Sequence, residues 1–209
     1  KYTQLEDEQS AIEHYQTIIN VSPGLTSDGM QLADLLLENE DFQGARRVGD
    51  RMVEHAPQQA AGYAILGNLH FMHEEYQEAI SPYETALDKQ NIPDQVYINL
   101  GICYRITGQY EQALTVLNQA VEEIGTEGEV YYERGQVHHQ LGNTDQAIAD
   151  LRQATSLGVD DIPAYQLLGQ LYIEAGRVSE AIRTYNALAQ SYPNDVDIIT
   201  LLKTHAQSE

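Results

Sequence analysis

Histidines and paired carboxylates are the side chains here whose spacing could do chemistry. His70 and His73 stand three residues apart, and His138 and His139 are adjacent. On a helix, an i, i+3 pair can offer two metal ligands from one face. No second ligand cluster stands at a compatible place, however. His70 and His138 also share a slot, one 34-residue step at a time, with Tyr104 and Tyr172. They therefore read as packing side chains, and no metal or cofactor is expected. His139 reads as a hydrogen-bonding contact whose charge would respond to pH. Glu6-Asp7-Glu8 and Glu122-Glu123 could exchange protons in a closed site, but the pattern implies no enclosed pocket, and they read as solvated ends. There is no glycine-rich phosphate loop, nucleophile elbow or metalloprotease helix. Cys103 is the single cysteine, so an intramolecular disulfide is excluded and a small buried hydrophobe is expected. Catalysis is not expected.

Charge narrows the partners. The chain of 209 residues carries 32 acidic against 11 basic side chains, a net charge of −21 at pH 7. Such a field opposes nucleic acids and anionic membranes, whose phosphates need Lys and Arg. It favours a basic or polar protein partner. No apolar run approaches the ~18 residues of a membrane span. The chain starts at Lys1 without Met. A cytoplasmic location is the first expectation, with export or envelope association left open.

These residues are carried on a repeat. Tyr63, Tyr97, Tyr131 and Tyr165 stand 34 residues apart, as do Gly67, Gly101, Gly135 and Gly169. Ala11, Ala45, Ala79, Ala113, Ala147 and Ala181 keep the same step, and so do Gly108, Gly142 and Gly176. The clearest copy, Tyr97 to Ala120, reads as a helix, a turn at Thr107-Gly108-Gln109, and a second helix. A glycine inside a helix costs roughly 1 kcal/mol against alanine, so its recurrence predicts close helix approach. The recurring alanine lets the second helix pack on the first. The glycine between helices suits a positive φ.

The pattern resembles the tetratricopeptide repeat family. Tyr97, Leu100-Gly101, Tyr104, Gly108, Tyr110, Ala113, Leu117 and Ala120 carry that resemblance. It departs at Ala33, which replaces the first glycine, and at Gly49, where a bulky residue is usual. The resemblance implies one all-α domain over 1–209, a right-handed α-solenoid of stacked helix-turn-helix units. A half repeat is expected at 1–25, full repeats at 26–59, 60–93, 94–127, 128–161 and 162–195, and a capping helix at 196–209, about twelve helices in all. The half repeat leaves an uncovered face, through which a homodimer is possible.

In this family the first helix of each pair forms the inner groove. Transferred to this sequence, the groove presents Asp34 from the first full repeat and Asn68, Phe71 and Met72 from the second. Ile98, Asn99, Ile102 and Arg105 follow from the third, Tyr132, Glu133, Gln136 and His139 from the fourth, and Gln166 and Gln170 from the fifth. The surface grades from apolar to amide-rich and acidic. Asn and Gln can bond the backbone of an extended peptide, and Phe and Met accept varied apolar side chains. Co-chaperone members of the family hold an acidic chaperone tail with two Asn and three basic residues. Here Asn68 and Asn99 fill the Asn slots, but Ala64, Glu129 and Glu133 fill the basic ones. A terminal carboxylate would be repelled, so this carboxylate-clamp activity is not expected. The expected function is a non-catalytic scaffold holding an extended or helical segment of a protein partner. A structural assembly part, or a regulatory domain of a larger protein, is the alternative.

Overall fold

The computed structural model describes residue 17 and residues 26–159 and 162–192. Ten α-helices run through them: α1 Thr26–Glu38, α2 Phe42–His55, α3 Ala61–Met72, α4 Tyr76–Leu87, α5 Asp94–Ile106, α6 Tyr110–Ile124, α7 Gly128–Gln140, α8 Thr144–Ser156, α9 Ile162–Glu174 and α10 Val178–Ser191. The described residues hold no strand, only an isolated bridge between Gln59 and Gln90. About twelve helices were expected. Apart from residue 17, the two further ones, in the half repeat at 1–25 and at 196–209, lie outside the described residues, as does the face through which a homodimer was held possible.

One turn geometry repeats. At the end of each first helix a backbone N–H reaches back five residues: Asp41 to Leu36, Glu75 to His70, Gln109 to Tyr104, Asn143 to His138 and Arg177 to Tyr172. This closure requires a left-handed residue just past the helix. Gly108, Gly142 and Gly176 supply it with φ of 77°, 74° and 71°. Glu40 and Glu74 take the same conformation at φ 59° and 58° without glycine's freedom.

The chain divides into two compact units, Lys1–Gln109 with α1 to α5 and Tyr110–Glu209 with α6 to α10. In each, successive helices pack on one another. In the first unit the first helices also neighbour each other, α1 against α3 and α3 against α5. The recurring alanines at 45, 79, 113, 147 and 181 are all fully buried. The helical glycines mark close approach: a Cβ on Gly67 would come within 2.5 Å of the Tyr83 ring, and one on Gly169 would collide with Tyr185. The first core centres on Leu32, Leu36, Val48, Met52, Ile65 and Leu69. The second centres on Ile148, Leu151, Leu168, Leu171, Tyr172 and Tyr185.

Candidate partner-binding site

Because α1, α3 and α5 lie side by side, the outward turns of the three helices can share a surface. They do so around a cavity of about 340 Å³ lined by Asp34, Leu37, Glu38, Asn68, Phe71, Met72 and Asn99. Asp34 and Glu38 are one helical turn apart on α1 and both exposed. Like charges at that spacing repel, and the partial desolvation of its carboxyl against the cavity wall, followed by the charge of Glu38, holds Asp34 above its ordinary pKa. Phe71 stands edge-on to Tyr76 at 5.5 Å, which fixes its ring, and Met72 is 50% exposed. The cavity therefore joins an acidic rim to an apolar wall.

A buried network sets the third side. Tyr83 Oη donates to Asn68 Oδ1 at 2.6 Å and accepts from Asn99 Nδ2 at 3.0 Å. Asn99 Nδ2 also approaches Asn68 Oδ1 at 3.3 Å, and Gln95 Nε2 donates to Asn99 Oδ1 at 2.9 Å. Burial raises the Tyr83 phenol pKa, so Tyr83 stays a neutral donor. With its oxygen used twice, Asn68 has its amide N–H groups to offer to a carbonyl.

Asp34, Asn68, Phe71, Met72 and Asn99 thus come together, and Leu37 and Glu38 join them. Ile98 does not: it is 3% exposed. The reason is that α5 buries Val96 to Gly101 without a gap, and Ala64, one repeat earlier in the same slot, is buried too. Ile102 and Arg105 are half-buried on α5 and do not line this cavity.

In the second unit Glu133 is 6% exposed and accepts from Gln136 Nε2 at 3.1 Å. It shares a slot with Ile65 and Asn99, also buried, so little of the carboxylate is exposed. Tyr132 leans on the core of its own unit. Gln136, His139 and Gln166 are half-buried, and Gln170 is exposed and donates to Glu174 at 3.0 Å.

Two profiles described as tetratricopeptide repeat match the chain, one over residues 30–96 and the other over residues 138–204. The chain is a tetratricopeptide repeat protein. A profile described as anaphase-promoting complex, cyclosome, subunit 3 matches the stretch between, residues 72–154. No curated protein matches the chain. Among solved structures, this tetratricopeptide repeat chain is similar to YrrB, described as a TPR protein with an unusual peptide-binding site, at 21% identity. That likeness covers 95% of this chain and 100% of YrrB with a TM-score of 0.71. It is also similar to pilF of Pseudomonas aeruginosa, at 19% identity over 97% of this chain and 86% of that one, TM-score 0.74. MamA of Desulfovibrio magneticus RS-1 is similar at 17% identity over 81% and 97%, TM-score 0.69. These likenesses support the repeat fold.

The repeats also hold a pair that the sequence reading missed. Arg134 donates to both carboxylate oxygens of Asp150, at 2.8 and 2.7 Å, and to Asn118 at 2.9 Å. Arg134 fills the slot of Leu32, Leu66, Leu100 and Leu168. A break in that leucine series was the signal available.

Among the described residues, no helix is long and apolar enough to cross a membrane. His70 is tied to Glu75 at 2.7 Å and His73 packs on Phe42 at 4.3 Å between ring centroids. Cys103 is fully buried, and burial pushes its thiol up to about 12, so it is an inert packing group.

Proposed function

We propose that the chain is a non-catalytic protein-interaction scaffold whose first unit takes an extended or helical segment of a partner, with a Lys or Arg side chain seated between α1 and α3. The observation that carries this is the cavity, which pairs Asp34 and Glu38 with the apolar surface of Leu37, Phe71 and Met72. A long basic side chain matches both parts, its stem on the apolar wall and its head at the acidic rim. A carbonyl of the segment would accept from Asn68. The likeness in fold to YrrB, whose description names a peptide-binding site, supports the class of ligand. The clamp for an acidic chaperone tail is not part of this reading. Gln136, His139, Gln166 and Gln170 are proposed as polar contacts of the second unit.

Fluorescence anisotropy with three labelled octapeptides tests it, one with a central Arg among Leu and Asn and two with Gln or Glu in its place. The Arg peptide is expected to bind at least about tenfold tighter than the others. D34N/E38Q should erase that preference, and Phe71→Ala should weaken all binding. Equal affinities for Arg, Gln and Glu would end the proposal.

A further inference from the structure

Basic side chains are scarce in this chain, 11 against 32 acidic ones, yet three arginines gather on one groove of the second unit. Arg152 near the end of α8, Arg177 just before α10 and Arg183 on α10 line two adjoining cavities of about 350 and 360 Å³. The cavities share Arg152, Tyr172, Arg183 and Thr184, so they are one continuous groove. Arg177 is fixed in its wall: its Nε donates to Glu180 at 3.1 Å, and its guanidinium stands 4.7 Å over the Tyr172 ring. Glu180 is the one carboxylate among the lining residues, and its hydrogen bond with Arg177 holds its pKa below the ordinary range. Three arginines against one glutamate leave an excess of two positive charges. Arg152 and Arg183 are exposed.

We propose that this groove is a second docking site, which takes an acidic segment of a protein partner with two Asp or Glu side chains on Arg152 and Arg183. The planar guanidinium matches a carboxylate with two parallel bonds. A phosphate would call for further donors, but the Ser and Thr hydroxyls of the groove are spent. Thr155, Ser156 and Thr184 donate to the backbone carbonyls of Arg152, Gln153 and Glu180. The net charge of −21 opposes nucleic acid and anionic membrane, which present many phosphates at once. Arg152 and Arg183 sit on the second helices of their repeats, whereas the acidic cavity is built from first helices. The two sites carry opposite charge, and this one stands whether or not the basic segment binds the first unit.

The test uses the full chain and a fluorescein-labelled octapeptide with four Glu, titrated at low salt. Expected is saturable binding that weakens at least about tenfold in R152E/R183E, less in R152Q/R183Q, and stays unchanged in D34N/E38Q. Helical circular dichroism should be the same for all variants, since both arginines are exposed. Absence of saturable binding, or affinity untouched by the charge reversal, would overturn the proposal. So would tighter capture of a phosphoserine octapeptide, a single-stranded oligonucleotide or phosphatidylserine vesicles, which would reassign the groove to phosphate.

Discussion

The Asp34 carboxyl is part of the cavity wall, one turn from Glu38, and both its partial desolvation and that neighbour raise its pKa. A carboxyl with a folded-state pKa above its unfolded value costs stability at every pH above the folded pKa. The cost is absent below the unfolded value, where both states are protonated. Asp34→Asn should therefore raise Tm at pH 7.5, and the gain should fade toward pH 3. The same variant should weaken the Arg peptide. A fall in Tm at pH 7.5 would contradict this account of Asp34. Glu74 is a second residue under strain, at φ 58° where its repeat-mates Gly108, Gly142 and Gly176 stand. A left-handed conformation costs a residue with a Cβ about 1 kcal/mol. Glu74→Gly should recover up to that amount in urea denaturation, less the entropy that glycine adds to the unfolded chain.

At the scale of the helix pair, volume is matched across each contact. Gly67 meets Tyr83 and Gly169 meets Tyr185, while Gly135 faces the smaller Leu151, where a Cβ would stand at 3.1 Å, tight but short of a collision. In the first full repeat both members are small, Ala33 and Gly49, and Ile65 and Leu66 of α3 come within 3.2 Å of where a Cβ on Gly49 would be. Gly67→Ala pushes on a fully buried ring and should destabilise the protein by about 1–3 kcal/mol. Gly108→Ala is a control of another kind, strained by its φ of 77° with nothing within 4 Å. The pair in α7 and α8 exchanges packing for charge. Arg134 and Asp150 have side chains only 18% and 9% exposed, in slots where Leu100 and Val116 stand one repeat earlier. Arg134→Leu alone leaves the carboxylate with only His138 at 3.9 Å and should cost about 3 kcal/mol, whereas R134L/D150V should be neutral or stabilising. A double variant as unstable as the single one would show that the pair contributes more than its desolvation costs.

For the whole molecule, the net charge of −21 makes self-repulsion a general term. Raising NaCl from about 10 mM to 500 mM shortens the Debye length severalfold and should raise Tm. The same salt should weaken both the Arg and the Glu peptides, because each meets exposed charges. A Tm that falls with NaCl would mean that the surface ion pairs, such as Arg177 with Glu180, outweigh the net repulsion.

The 34-residue beat was legible in the sequence because every repeat needs the same residues for the same local reasons. A glycine or its stand-in closes each turn, an alanine fills each helix contact, and a small residue faces a large one. Those requirements are set by backbone geometry and neighbours close in sequence, so one chain states them several times. The cavity was legible in part: Asp34, Asn68, Phe71, Met72 and Asn99 could be named from their phase on the first helices. Tertiary structure alone decided how far around each helix burial extends. It put Ile98 and Glu133 inside although the repeat phase places both on the groove, and it turned the Asn68 amide by way of Tyr83, 15 residues away. It also brought Arg134 onto Asp150 and drew Arg152, Arg177 and Arg183 to one groove. A helix has no marker for where its buried arc ends, because that edge is set by the helices packed against it.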